Sequence, residues 1–124
     1  MSSTNSRQRG QQYEQQALAF LEQAGLELVS KNWSCRLGEI DLIMCDQKTL
    51  VFVEVRFRKN QQFGGALESI DQRKQNKLNA TAETFLQQNS IWNDYNCRFD
   101  VVLVEATQTP HIHEINWIKD AFDV

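Results

Sequence analysis

Two acidic residues stand inside runs that otherwise read as protein core. Asp41 lies in "GEIDLIM" and Glu54 in "LVFVEVRF", with Arg56 two residues beyond Glu54. Carboxylates brought close together can do one of three things. They can share a proton, which raises one pKa. They can hold a hard divalent cation such as Mg²⁺ or Mn²⁺, usually as one or two carboxylates completed by water. They can also be neutralised by nearby cations as an ordinary charge ladder on a sheet face. Spacing alone does not choose among these.

The elements that must position the two acids follow from periodicity. Side chains alternate faces along a strand. In the first arm Ile40, Leu42 and Met44 share one face, and Glu39, Asp41 and Ile43 the other. In the second arm Val51, Val53, Val55 and Phe57 share one face, and Phe52, Glu54 and Arg56 the other. A tight turn centred between Gln47 and Lys48 joins the two apolar faces and sets Asp41 opposite Glu54 and Glu39 opposite Arg56. A slip of one residue would send the apolar faces to opposite sides of the sheet, so the hydrophobic pattern selects this register.

Two further charges fall in unexpected places. The first helix presents Tyr13, Ala17, Phe20, Leu21 and Ala24 on one face, and Glu14 lies beside that face, roughly 60° from Ala17 at about 100° per residue. A carboxylate there is costly unless compensated. If this helix covers the mixed sheet face, Glu14 becomes a third ligand; otherwise it reaches water at the helix margin. Lys74 lies on the axis of the second helix's apolar stripe of Leu78, Thr81, Ala82, Phe85 and Leu86. It either snorkels to solvent or points into the same cleft.

Along the chain, residues 1–9 read as a flexible N-terminus and 10–124 as a single domain. A helix ends at Gly25, and "LELVSKNW" is a strand ahead of the hairpin. After the loop "FGGALES", a helix capped by Ser69 runs over about 70–88. "CRFDVVLVEA" is a β-branched strand that can return parallel by that crossover. Beyond Pro110 lie the short segment "HIHEINWI", which could add one further short strand, and "WIKDAF", read as a helical turn. The order α-β-β-β-α-β predicts an α/β fold with a central mixed sheet flanked by helices.

Composition bounds the function. In 124 residues, 41% hydrophobic and 23% charged content are ordinary values for a folded domain. No apolar run reaches the roughly 20 residues of a membrane span. The polar start "MSSTNSRQRGQQ" lacks a secretory apolar region, and Cys35, Cys45 and Cys97 form no CxxC pair, so the expected compartment is the cytoplasm. A net charge of −3 argues against broad, non-specific nucleic-acid binding. Locally, though, Arg56, Arg58, Lys59, Arg73, Lys74 and Lys77 face only Glu68 and Asp71, which is either a basic patch or a solvated face. His111 and His113 are too few for a structural zinc site. Asp100 enters a core strand, where it can buttress Arg98 or cap the site, with no catalytic role assigned to it.

An Asp followed by Glu-x-Lys/Arg on the next strand resembles the core of the PD-(D/E)xK nuclease superfamily. More closely, "GEIDLI", "LVFVEVRFR", "FGGALESI" with Lys74, and "CRFDVV" resemble the YraN family of small bacterial proteins, related in fold to archaeal Holliday-junction resolvases. The resemblance runs from Gly10 and Glu14 through "WIKDAF". It implies a restriction-endonuclease-like or resolvase-like core. It implies Mg²⁺ or Mn²⁺ held by Asp41 and Glu54, with Glu14 as an additional ligand, the Val55 carbonyl assisting, and Glu39 at the margin of the acidic cluster. It further implies DNA, branched DNA included, as substrate for phosphodiester hydrolysis, and pairing of two copies, since a junction offers two symmetric cuts. Arg58, Lys59, Arg73 and Lys77 are the expected nucleic-acid contacts. One position departs from the motif: Arg56 stands where the superfamily has lysine, and arginine cannot accept a proton at working pH. Lys74 is the candidate surrogate. The alternative is a DNA-binding protein with little or no catalysis on a nuclease scaffold. A small interaction domain using the sheet edge, Trp92 or Trp117 is a third class.

Overall fold

Gly25 sets the first boundary through its backbone freedom. The computed structural model describes residues 6–59 and 70–123. In it, helix α1 (Ser6–Gln23) closes with Gly25 at φ 102°. The Leu26 N–H donates to the Leu21 carbonyl and the Gly25 N–H to that of Glu22. This is the glycine-closed ending that satisfies the last free carbonyls of a helix. The helix begins earlier than the apolar periodicity indicates. Ser6–Arg9 belong to it rather than to a frayed tail, because arginine and glutamine are good helix formers even without a face to bury.

Strands β1 (Glu27–Cys35), β2 (Gly38–Asp46) and β3 (Thr49–Arg58) follow. Helix α2 (Gln72–Gln88) leads through a single 3₁₀ turn at Ser90–Trp92 to β4 (Asn96–Ala106) and β5 (His113–Phe122). The sheet order is β1-β2-β3-β4-β5. β3 and β4 run parallel, joined by the α2 crossover, and the remaining pairs are antiparallel. The sheet is therefore mixed and flanked by two helices, the expected α/β class. The loop "FGGALES" lies outside the described residues. So does Ser69, and the cap of α2 is Asp71, whose Oδ1 accepts from the Lys74 N–H at 2.9 Å.

The C-terminal expectation needs correction. "WIKDAF" is no helical turn; it is the second half of β5, which pairs with β4 from Ala106 opposite His113 to Phe99 opposite Phe122. An edge strand alternating half-buried and exposed residues carries a weak local signal, and its partner β4 supplies the hydrogen bonds that make it a strand.

Both sheet faces are covered. Ala17, Leu18 and Leu21 of α1 pack with Leu42, Met44, Val51, Val53 and Val102. Leu78, Ala82 and Phe85 of α2 pack with Ile40, Ile43, Phe52, Phe99, Val101 and Leu103. Helix α1 thus covers the apolar face of the hairpin, and α2 covers the face that carries Ile43 and Phe52. Ile40 and Leu42 were expected to share a face, yet they lie in opposite layers. The alternation breaks at the residue between them, Asp41.

Candidate metal and phosphate site at a forked strand pair

The hairpin keeps the register that the hydrophobic pattern selects: Asp46 opposite Thr49, Met44 opposite Val51, Leu42 opposite Val53. There the β2–β3 ladder stops. β2 goes on pairing with β1 as far as Gly38, while β3 goes on pairing with β4 as far as Arg58 opposite Glu105. The two hairpin strands part like the arms of a fork, and Asp41 stands at the point of divergence. Its Oδ2 accepts the Val55 N–H at 2.8 Å, taking the hydrogen bond that the departing strand no longer supplies. Glu39 therefore does not pair with Arg56, as a continued ladder would require; it sits opposite Ser34 of β1 instead.

The fork opens a cavity of about 530 Å³, lined from α1 by Arg9, Gly10, Tyr13 and Glu14, from β2 by Asp41, from β3 by Glu54–Phe57, just beyond β3 by Lys59, and from α2 by Lys74. Although α1 covers the face opposite to the one expected, Glu14 still reaches Asp41, because the fork lies at the margin where the two layers meet. The pKa of Glu14 is raised to about 7, by burial first, then by the charge of Asp41. Glu54 is 6% exposed, and its pKa is raised to about 8, again chiefly by burial, with a hydrogen bond to the Asp41 carboxyl and the Asp41 charge adding to the rise. Lys74 Nζ at 3.6 Å and Arg56 Nη2 at 3.5 Å from Glu54 Oε2 act in the opposite sense without cancelling it. The Nε of Arg56 is buried and has no hydrogen-bond partner among the described residues.

This donor set is all carboxylate oxygen, the chemistry that suits Mg²⁺ or Mn²⁺. Among the described residues no group of three or more His, Cys, Asp or Glu stands as a ready-made ligand shell. The fit is therefore to the sparser binding typical of Mg²⁺, in which one or two carboxylates act with water and a substrate phosphate. The one or two carboxylates that would hold such an ion come from among Glu14, Asp41 and Glu54. A divalent charge there would favour the ionised forms of Glu14 and Glu54, which burial first and Asp41 second disfavour.

The other sequence candidates separate. Lys59 lines the cavity. Arg58 binds the buried Glu105 through Nη2 at 2.6 Å and Nε at 3.0 Å, and Glu105 also accepts from Asn116. This ion pair joins β3 and β4 at their ends. Arg73 and Lys77 are exposed on α2 and do not line the cavity. Glu39 lines a second cavity of about 420 Å³ with Arg7, Gly10, Gln11, Glu14 and Asn32. Asp100 buttresses Arg98 as expected, accepting from its Nε at 3.0 Å, from Trp117 Nε1 at 2.8 Å and from the Asp120 N–H at 3.0 Å.

Asn32 was not legible as a site residue. It holds a left-handed backbone, φ 51°, within β1, between the Lys31–Leu42 and Trp33–Ile40 pairs and thus abreast of Asp41. Its side chain hydrogen-bonds Glu14, lowering that carboxyl's pKa. Asparagine tolerates this conformation better than most residues, and that tolerance is the only trace in the sequence.

No described helix is long and apolar enough to cross a membrane. The model of "Uncharacterised protein family UPF0102" matches residues 13–104. A UPF0102 protein of Pseudomonas syringae pv. tomato is 51% identical over 119 residues, 94% of this chain and 93% of that one. One of Pseudomonas paraeruginosa is 50% identical over 119 residues, 96% and 95% of the two chains. One of Pseudomonas savastanoi pv. phaseolicola is 48% identical over 123 residues, 99% of each. The match extends over the forked hairpin, α2 and most of β4, and the chain belongs to the UPF0102 family, the YraN family of small bacterial proteins.

Proposed function

We propose that this protein hydrolyses phosphodiester bonds in DNA, branched DNA included, as a divalent-metal-dependent endonuclease. The observation that carries the reading is the convergence of Glu14, Asp41 and the buried Glu54 at the fork, with Arg56 and Lys74 on Glu54. A protein that only binds phosphate gains nothing from such an acidic cluster, which repels the ligand. A bound Mg²⁺ or Mn²⁺ supplies the usual metal chemistry of phosphate transfer, polarising the phosphate and acidifying water.

The chain's own residues complete the site. The hydrogen bond from the Val55 N–H fixes the half-buried Asp41, so this oxygen donor needs little reorganisation. The Arg56 guanidinium can bind phosphate oxygens in a fork, and its Nε, without a partner among the described residues, suits a ligand that supplies an acceptor. Lys74 reaches the same Glu54 oxygen from the other layer and is placed to steady charge on the transferring phosphate or to orient water.

Arginine in the lysine position favours one second reading: a DNA-binding protein that cuts weakly or not at all. Calorimetry with Mn²⁺, wild type against Asp41→Ala, tests the shared ion. Binding by the wild type and its loss in the variant are expected; no wild-type binding, or equal binding, overturns the site. Cleavage of duplex, single-stranded and four-way-junction DNA then separates the readings. DNA binding with no cleavage in Mg²⁺ or Mn²⁺ leaves the second reading standing alone.

A further inference from the structure

The aromatic wall of the cavity is not needed to hold an ion. Tyr13 and Phe57 stack with ring centroids 4.3 Å apart and planes 7° from parallel. His113 meets both rings edge-on, at 5.7 and 5.8 Å, and its Nδ1 lies 2.9 Å from Gln16 Oε1. α1, β3 and β5 thus contribute to one ordered cluster. Phe57 nevertheless remains 37% exposed, at the end of a strand whose Val51 and Val53 are buried. The ring lies beside the acidic cluster, since Tyr13 and Phe57 line the same cavity as Glu14, Asp41 and Glu54. Arg9, Arg56 and Lys59 line that cavity too.

Cations for a backbone, oxygen donors for a metal-bound phosphate and a partly exposed aromatic stack form a recognisable combination. Grooves that take single-stranded nucleic acid pair positive charge along the backbone with aromatic rings on which bases stack. A regular duplex cannot use the ring, since both faces of each base are covered by its neighbours. An unpaired nucleotide can.

We propose that the Tyr13–Phe57 stack is a platform for an unpaired nucleobase next to the scissile phosphate. The substrate class is then nucleic acid with a single-stranded segment at the site, rather than continuous duplex. This rests on the phosphodiester reading above and narrows it. His113 is a positioning residue here: its ring edges and its contact with Gln16 hold the stack in place.

The test uses a short DNA strand carrying 2-aminopurine, alone and annealed into a duplex, with the full chain in metal-free buffer. The wild type should quench the probe in the single strand and leave the duplex probe unchanged. Tyr13→Leu and Phe57→Leu keep apolar bulk but remove a π-face; each should weaken single-strand binding by about 10-fold or more, with duplex binding unaltered and Tyr13→Phe behaving as wild type. Circular dichroism melts check that each variant folds. If the leucine variants do not fold, the wild-type quenching decides by itself. Single-strand binding without quenching, or folded leucine variants that bind as tightly as wild type, overturns the platform and leaves the metal site untouched. Absence of binding to either DNA overturns the platform and the nucleic-acid reading together, a result that Mn²⁺ calorimetry distinguishes from loss of the ion site.

Discussion

Glu54→Gln removes the ionisation that the cavity opposes while keeping the side chain's volume. The folded-state pKa of about 8 stands above the ordinary 4.5, so the folded protein holds a proton that the unfolded chain has already released. The resulting stabilisation is complete below pH 4.5 and is lost as pH rises through about 8. At about 1.4 kcal/mol per unit, this group alone removes roughly 2–3 kcal/mol of stability between about pH 6 and pH 8.5. For a chain of this size that corresponds to a melting midpoint lower by on the order of 10 °C. Thermal and urea denaturation of wild type and Glu54→Gln at both pH values gives the comparison. The wild type should lose the larger share of its stability, and the variant should be the more stable protein at the higher pH. Mg²⁺ at about a hundred times its Kd should return roughly 3 kcal/mol to the wild type at high pH, little at low pH where protons compete, and little to the variant. Parallel pH profiles for the two proteins would refute the account of Glu54 as a buried acid poised for a cation.

Three other expectations can be checked with single variants. Lys74→Ala should reduce cleavage by about 100-fold or more while DNA binding persists; unchanged cleavage in an active wild type removes Lys74 from the chemistry. Asn32→Gly keeps the left-handed backbone but loses the hydrogen bond to Glu14, so the fold should melt near wild type while Mn²⁺ affinity measured by calorimetry drops about 10-fold or more. Gly38→Ala sets a Cβ 2.9 Å from Thr81 Oγ1, and denaturation should show a cost of about 1–3 kcal/mol that shrinks in a Thr81→Ala background.

The hairpin was legible because its information is local. Alternation in two short segments demanded one register, and Asp46–Thr49 through Leu42–Val53 obey it. The crossover from α2 into a parallel β4 followed from element order and the β-branched run. Where readings failed, a partner decided the outcome. β5 is a strand because β4 hydrogen-bonds it. Arg58, apparently available for phosphate, is held by Glu105, which is far away in sequence and adjacent across the parallel ladder. Ile40 and Leu42 separate into different layers because the strand distorts at Asp41, where pairing with β3 ends.

The sequence by itself determined that Asp41 and Glu54 lie near each other, since a tight turn and a period of two settle which face each residue takes. Only the tertiary structure decided that they meet at a fork. It also decided that Glu14 joins them from the α1 layer and Lys74 from the α2 layer, and that Tyr13 stacks on Phe57 at the rim. Strand alternation is a property of neighbouring peptides. The convergence of residues from opposite faces of a sheet depends on how two helices dock and where one strand leaves another, and that is settled by packing across the whole fold.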